Sequence, residues 1–342
     1  MSTHIQRDYW PTMGWRESSP EEQGMDPKVL SGLDTYIAET RPYLNTLLIV
    51  RHGHIVFERY YKDYNLSSYQ VLNSATKSIV SALIGIALQE GYLKSLDQRW
   101  EELLPEYFTA KSDRRKKEIT IRHLLKMTSG LNPDFLAYPG RFGDASEDWV
   151  RYAIEKPVRV GPDQLFMYSS LGSHLLSVML SRVTEMSTVD FARHYLFAPL
   201  GIDTDEQAGF LWKADPLGYA IGGVGLQLKA RDAAKFGYLY VNNGTWDGRQ
   251  IIPAAYVHES TREHNRGGHP EATGYGYHWW VTEVAGHHSF YAAGYGGQYI
   301  HVFPDLDTVI VMFAPDEPAL GVYHRQFIPT LFVIPAIKEK GM

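Results

Sequence analysis

Strand-like segments occupy both ends of this 342-residue chain, and helix-like segments fill the middle. Near the start, residues 45–61 hold two runs rich in β-branched and aromatic residues about a turn, which predicts a hairpin. From residue 275 onward the sequence again predicts strands, at 275–284, 298–303 and 308–313. Because strands come from both ends, we predict one antiparallel sheet into which a helical region is inserted.

The predicted fold class is therefore α/β, of the α+β type, with helices flanking an antiparallel sheet. We place the sheet region at residues 1–65 and 235–342, and a mainly helical region at residues 66–234. The tail from 322 to 338 is expected to form a closing helix. Three runs in the helical region have the length and apolar content of helices: 79–93, 121–127 and 171–183.

Composition excludes several functional classes. The 33 Lys and Arg residues against 39 Asp and Glu residues give a net charge of −6, which argues against a nucleic-acid-binding surface. Zero cysteines exclude disulfides, thiolate chemistry and Cys-ligated zinc. Residues 1–24 contain no apolar signal-peptide core, and no long uncharged apolar run occurs. We therefore expect a cytoplasmic protein without a membrane or nucleic-acid partner.

The pair Ser74 and Lys77 is the first candidate for chemistry, because it stands immediately before the apolar run at 79–93. If the helix begins near Ser74, residues i and i+3 share a face, and the Lys77 amine reaches the Ser74 hydroxyl. A hydroxyl with a base at hydrogen-bond range is an activated nucleophile. Taken alone, the pair also fits a helix cap and a surface lysine, so the companion motifs decide between the two interpretations.

Two further motifs follow in order. Tyr168-Ser169-Ser170 precedes the predicted helix at 171–183, and Ala292-Ala293-Gly294-Tyr295 precedes the predicted strand at 298–303. This order resembles that of the serine β-lactamase and penicillin-binding-protein superfamily. The resemblance is strongest to its class C-like branch, which includes family VIII-type esterases, 6-aminohexanoate-oligomer hydrolases and D-aminopeptidases. It extends over most of the chain, through the segment 124–131 and the glycine-rich loop 222–226.

The resemblance implies a role for each motif residue. Ser74 would be the nucleophile that forms an acyl-enzyme, and Ser170 would hold Lys77 and the substrate by hydrogen bonds. Lys77 as base must be neutral, although the reference pKa of lysine is about 10.4, so we expect burial to lower its pKa. Tyr168, with a reference pKa of about 10, is the other candidate base and the expected proton donor to the leaving group. The sequence leaves the choice of resting base open.

The resemblance also implies where the substrate carbonyl binds. The backbone N–H groups of Ser74 and Tyr295 would form the oxyanion hole, and the active site would lie between the sheet region and the helical region. The remaining predicted substrate-binding residues are Ser170, Gly294, Ile221, Gly222 and Gly223.

Competing catalytic signatures are incomplete. The segment His258-Glu259-Ser260-Thr261-Arg262 begins like a zinc-protease helix but has Arg262 where the second histidine must stand. His287 and His288 are expected to lie in a loop. We therefore expect neither a metal nor a cofactor.

The third motif departs from the Lys-Thr-Gly sequence common in the superfamily, because Ala292 and Ala293 stand where that motif has a cation and a hydroxyl. We therefore predict a serine hydrolase that acts on carboxylic esters or small amides and hydrolyses β-lactams poorly. Two alternatives stay open: a β-lactamase or penicillin-recognising D-peptidase, and a catalytically idle binding protein of the same fold. Efficient nitrocefin turnover would favour the first, and the complete set Ser74, Lys77 and Tyr168 argues against the second. The oligomeric state is not predicted.

Overall fold

A computed structural model of the chain describes residues 7–131, 147–315 and 326–338. The strands are β1 Arg16–Glu17, β2 Thr46–Arg51, β3 His54–Tyr60, β4 Gln70–Val71, β5 Gln227–Leu228, β6 Thr245–Trp246, β7 Arg249–Gln250, β8 Gly274–Tyr275, β9 Trp280–Val284, β10 His287–Gly294, β11 Gln298–Phe303 and β12 Thr308–Phe313.

The α-helices are α1 Pro27–Leu30, α2 Gly32–Thr40, α3 Thr76–Gln89, α4 Trp100–Leu103, α5 Arg114–Lys117, α6 Ile121–Leu125, α7 Trp149–Glu155, α8 Ser170–Thr184, α9 Thr188–Ala192, α10 Ala198–Leu200, α11 Ala230–Val241, α12 Ala254–Thr261 and α13 Ile334–Ala336. Short 3₁₀ turns include Asn73–Ala75, which leads directly into α3. No helix within the described ranges is long and apolar enough to cross a membrane.

The main sheet joins the two ends of the chain, as the sequence predicts. Among the described residues it has eight strands in the order β1-β3-β2-β12-β11-β10-β9-β8. The late strand β12 pairs antiparallel with the early strand β2, with Val309 opposite Val50. Within the part of the sheet that the structure describes, only the short β1 runs parallel to its neighbour β3. The predicted fold class is confirmed: helices flank one large, mostly antiparallel sheet.

Both faces of this sheet are covered, because alternate residues of each strand point to opposite sides. On one face, Leu48 and Val50 of β2 pack in the same core cluster as α3 and α8. On the other face, Leu47 and Ile49 pack in a cluster with α1, α2 and α13. The helix α11 lies on the first face against β11 and β12. The predicted boundary at 234/235 falls within this helix, and the division of the chain into two regions stays a prediction.

Two predicted elements differ from the structure. The expected loop at His287 and His288 is wrong, because both residues begin strand β10 and pair with β9 across a tight turn. That turn uses positive φ at Ala285 (50°) and Gly286 (84°), which suits a two-residue hairpin connection. The single strand expected over 275–284 is split into β8 and β9 by a turn in which His278 has a φ of 58°.

The closing helix expected over 322–338 falls partly outside the described residues, at 322–325. Its described part forms the wide helical turn Pro329–Val333 followed by α13. This segment contributes Val333 and Ala336 to the core on the α1 and α2 face.

Candidate active site

The candidate nucleophile lies at the start of a buried helix. Ser74 is in the 3₁₀ turn Asn73–Ala75 and is partly exposed, whereas every residue from Thr76 to Ala87 of α3 is buried. Lys77 is only 1% exposed, so the interpretation as a surface lysine is wrong. Its Nζ lies 2.9 Å from Ser74 Oγ, the proximity that residues i and i+3 of a helical turn provide.

The Lys77 amine is held by three uncharged oxygen atoms. Besides Ser74 Oγ, its Nζ lies 3.0 Å from Ser170 Oγ and 2.7 Å from the Gly223 carbonyl oxygen. A neutral amine has two N–H donors and one lone pair. Nζ is placed to donate to all three oxygens, and in the neutral form it can donate to Gly223 and Ser170 while accepting the Ser74 proton. The arrangement suits a base that faces the nucleophile.

Ser170 is placed by the start of α8. Ser169 is the N-cap of that helix, and its Oγ accepts a hydrogen bond from the Gly172 amide at 3.0 Å. This cap satisfies one of the free amides of the first turn. It also directs the chain so that Tyr168 lies just before the helix and Ser170 in its first turn, next to Lys77.

The glycine-rich loop reaches Lys77 because it packs without side chains against α8. A Cβ on Gly223 would lie 2.7 Å from the Ser170 carbonyl oxygen, and one on Gly222 would lie 2.2 Å from that of Ser173. Only glycine allows this approach, which brings the Gly223 carbonyl to Lys77. Ile221 is buried, and its carbonyl accepts from the Trp212 indole at 3.0 Å. The substrate-binding role of Ile221, Gly222 and Gly223 stays a prediction.

Tyr168 lies beside both Ser74 and Lys77. Its hydroxyl is hydrogen-bonded to Ser74, and its ring centre lies 4.9 Å from Lys77 Nζ. The ring stacks on Trp280 at 5.8 Å and 19°. Burial raises the pKa of Tyr168 and the Glu271 carboxylate raises it further, while the hydrogen bond to Ser74 acts in the opposite direction. The net effect keeps the phenol protonated at neutral pH.

The end of strand β10 lies against the turn that carries Ser74. A Cβ on Gly294 would lie 2.1 Å from the Leu72 carbonyl oxygen, so glycine is required at this contact. Tyr295 follows in the turn to β11, and its carbonyl accepts a hydrogen bond from Asn73 Nδ2 at 2.9 Å. The two residues predicted to supply the oxyanion hole, Ser74 and Tyr295, are thereby brought to adjoining chain segments.

The two alanines of the third motif face opposite sides of the sheet. Ala292 is fully buried in the cluster that contains α3, and Ala293 is 7% exposed on the other side. Ala293 pairs with Tyr299 of β11. Neither methyl group can bind a substrate carboxylate by charge or by hydrogen bond.

Glu271 is a site residue that sequence reasoning missed. It is 5% exposed and accepts hydrogen bonds from the Tyr291 and Tyr299 hydroxyls at 3.4 and 3.5 Å. Both tyrosines belong to the same face of β10 and β11 as Ala293. Its charge acts on Tyr168. A lone glutamate in a loop gives no sequence signal, since only folding brings it to this face.

His278 is a second residue that the sequence did not single out. Its Nδ1 lies 3.1 Å from the Lys77 carbonyl oxygen and its Nε2 lies 3.3 Å from Ser173 Oγ, so it contacts both α3 and α8. Burial and the Lys77 amine lower the pKa of His278 to about 3. The imidazole is therefore neutral at physiological pH and supports the backbone that carries Lys77.

The zinc-protease-like segment does not form a metal site. The His258 side chain is 78% exposed, and Arg262 forms an ion pair with Glu259 at 2.9 Å. Across the described ranges, no group of three or more histidine, aspartate or glutamate side chains is arranged to hold a metal ion.

Comparison with known proteins agrees with this geometry. A family model described as Beta-lactamase matches residues 45–328. Penicillin-binding protein 4 of Amycolatopsis lactamdurans is 26% identical over 286 residues, which cover 74% of this chain and 74% of that protein. The 6-aminohexanoate-dimer hydrolase of Paenarthrobacter ureafaciens is 25% identical over 297 residues, or 78% of this chain and 71% of that protein.

Among solved structures, EstCE1 is described as a hydrolase with promiscuous acyltransferase activity. It superposes with a TM-score of 0.74 at 19% identity, covering 94% of this chain and 100% of that chain. Because the family model spans well over half of the sequence, the chain belongs to the beta-lactamase family. It is a hydrolase of the serine β-lactamase superfamily, and the resemblance predicted from the three motifs is confirmed.

Proposed function

We propose that this protein hydrolyses uncharged carboxylic esters through an acyl-enzyme on Ser74. The observation that carries the proposal is the placement of Lys77 Nζ 2.9 Å from Ser74 Oγ and 3.0 Å from Ser170 Oγ, with Tyr168 bonded to the same serine. This arrangement supports the proposal, because the groups proposed as nucleophile, base and proton donor lie next to one another.

The reaction follows from these contacts. Lys77 takes the Ser74 proton as Oγ attacks the ester carbonyl carbon, and the backbone N–H groups of Ser74 and Tyr295 stabilise the oxyanion. When the intermediate collapses, the Tyr168 hydroxyl gives its proton to the departing alkoxide and is reprotonated from Lys77. Water then attacks the acyl-enzyme, and the same groups act in reverse to release the carboxylic acid and free Ser74.

The environment of Tyr168 favours Lys77 as the resting base. The pKa of Tyr168 is raised by burial and by Glu271, so the phenolate form is disfavoured at neutral pH. A phenol that keeps its proton is suited to donate it to the leaving group.

The strand side of the site favours uncharged substrates. Ala292 and Ala293 offer no cation or hydroxyl to a substrate carboxylate, and the Glu271 carboxylate lies on the Ala293 face of the sheet. A negative charge near the acyl site disfavours anionic substrates such as β-lactams and peptides with free C-termini.

Small amides are the second candidate, and similarity to a 6-aminohexanoate-dimer hydrolase favours them. Amides differ from esters because the more basic leaving nitrogen must be protonated as it departs, and a phenol that keeps its proton at neutral pH can supply that proton. The idle binding protein is disfavoured by the complete set Ser74, Lys77 and Tyr168.

Two measurements test the proposal. A fluorophosphonate probe should add one label to the wild-type protein, seen by intact mass, and none to Ser74→Ala. The protein should then be assayed on p-nitrophenyl acetate and butyrate, on D-alanine p-nitroanilide and on nitrocefin. We expect kcat/KM for the p-nitrophenyl esters to exceed that for nitrocefin by about tenfold or more. Labelling at another serine, or nitrocefin turnover equal to that of the esters, would overturn the proposal.

A further inference from the structure

Asn73, the residue before the nucleophile, stands in an unusual backbone conformation. Its φ is 47°, in the left-handed region that asparagine tolerates better than most residues with a side chain. Its side chain points across to the sheet region, where Nδ2 donates to the Tyr295 carbonyl at 2.9 Å. Asn73 therefore has two roles: its backbone forms the turn that precedes Ser74, and its side chain bonds directly to the turn after β10.

The acceptor of this bond, the Tyr295 carbonyl, is held to the sheet through Gln298 of β11. The Tyr295 carbonyl also accepts from Gln298 Nε2 at 3.5 Å. Gln298 is fully buried, and its Nε2 donates to the Ala314 carbonyl at 2.6 Å while its Oε1 accepts from the Ala314 amide at 3.3 Å. The position of Tyr295 is thus determined by β11 on one side and by Asn73 on the other.

The two predicted oxyanion donors belong to different parts of the chain, 221 positions apart, so the spacing of their N–H groups depends on contacts between those parts. Catalytic donors must be held to within about 0.5 Å of the productive geometry to act on the transition state. Gly294 allows the end of β10 to approach the backbone at Leu72, but this contact alone does not fix the relative position of the two segments. The hydrogen bond from Asn73 to Tyr295 does fix it, because a hydrogen bond is directional.

We propose that Asn73 is a positioning residue that sets the spacing of the Ser74 and Tyr295 donors of the oxyanion hole. The inference rests on the proposed acyl-enzyme function. Asparagine meets both requirements of the position, since it accepts a positive φ and carries an amide donor. Aspartate would keep the conformation and lose the donor, and glycine would keep the conformation and lose the whole side chain.

The test uses Asn73→Asp and Asn73→Gly in the full chain. Asn243→Asp is the matched control, because Asn243 also has a positive φ of 52° and lies in the turn between α11 and β6. We expect kcat on p-nitrophenyl butyrate to fall by about ten- to a hundredfold in both Asn73 variants, with KM within about twofold. The control should be unchanged.

A second readout separates positioning from a loss of stability. A boronic acid that adds to the serine mimics the tetrahedral intermediate, so its affinity should fall in proportion to kcat/KM in the Asn73 variants. Thermal unfolding measured in parallel should show Tm within a few degrees of wild type.

The outcomes are distinct. Wild-type kcat and boronate affinity in Asn73→Asp, or a boronate affinity that stays at the wild-type value while kcat falls, would overturn the role of Asn73. A wild-type protein that takes no fluorophosphonate label at Ser74 would instead overturn the proposed function on which the inference rests.

Discussion

The candidate active site has two walls that differ in chemical character, one formed by the starts of α3 and α8 and the other by the end of β10. The helix wall holds Ser74, Lys77 and Ser170 in one connected polar set, with donor–acceptor distances of 2.9 and 3.0 Å. The strand wall ends in Ala293 and Gly294, which present a methyl group and bare backbone. The helix wall brings an amine to the candidate nucleophile, whereas Ala293 and Gly294 offer no charge to a substrate carboxylate. We therefore propose that reaction chemistry and substrate selection depend on different walls of the site.

The largest loss of activity is expected when the Ser74 hydroxyl is removed from the helix wall. Ser74→Ala should lower kcat on p-nitrophenyl esters by about a thousandfold or more, because no acyl-enzyme can form and only the backbone donors remain. Steady-state kinetics and circular dichroism should show an inactive but folded protein, with the exposed Ser67→Ala as control. Activity that survives in Ser74→Ala would show that the helix wall is not the site of chemistry.

The next effect concerns proton transfer within the same wall. Lys77→Ala and Tyr168→Phe should each lower kcat by about 10²–10⁴-fold, since general acid–base groups contribute factors of that size. Tyr64→Phe, in a partly exposed loop, should have no effect. In the wild type, activity should fall as the pH drops, because a protonated Lys77 cannot accept the Ser74 proton.

The alkaline side of the pH profile tests the role of Tyr168. Because its pKa is raised above the ordinary value of about 10, the phenol stays protonated and should not limit activity up to about pH 9. A loss of kcat between pH 7 and 9 that is absent in Tyr168→Phe would indicate that Tyr168 ionises in this range and would argue against its role as donor.

A smaller effect should come from the strand wall. Glu271→Gln keeps an acceptor oxygen for one of the hydroxyls of Tyr291 and Tyr299, can donate its amide N–H to the other, and removes the charge on the Ala293 face. We expect kcat/KM for a carboxylate-bearing ester to rise about tenfold relative to its uncharged analogue, the size of one partly screened charge interaction. Glu283→Gln, an exposed carboxylate on β9, is the control. An unchanged ratio would show that Glu271 does not select substrates by charge.

Substitution of His278 should have the smallest effect on turnover. His278 lies in the turn between β8 and β9 and contacts the helices α3 and α8. Its pKa is lowered to about 3 from an ordinary value of about 6.5. The unfolded chain therefore binds a proton that the folded chain does not between those pH values. This histidine should lower the free energy of unfolding by about 1.4 kcal/mol per unit as the pH falls below 6.5.

Urea unfolding of the wild type and of His278→Asn at pH 4.5 to 7.5 measures this term. The slope of stability against pH should be smaller in the variant, and kcat at neutral pH should change by less than about tenfold, since the residue does not touch the reacting atoms. The exposed His258→Asn should leave the slope unaltered. Equal slopes in wild type and His278→Asn would contradict a buried neutral imidazole.

The parts of the fold that could be predicted are those in which the pattern is local. The hairpin of β2 and β3 and the strands β11 and β12 follow from runs of β-branched residues bounded by turns. The strand at His287 was missed because its first two residues are histidines, and cross-strand pairing with Val284 and Glu283 decides their conformation. The break at His278 was missed for the same reason, as contacts with α3 and α8 place it in a turn.

The sequence by itself determined the contact of Ser74 with Lys77, because a spacing of three residues at a helix start leaves little choice of geometry. The other contacts of the site join residues that are distant in the chain. Lys77 meets Ser170 across 93 positions and Gly223 across 146, and Asn73 meets Tyr295 across 222. No local rule specifies such pairs, since they depend on how the helices and the sheet pack together. The tertiary structure alone therefore decided which loop would hold the lysine, which side chain would bond to Tyr295, and which carboxylate would lie against Tyr291 and Tyr299.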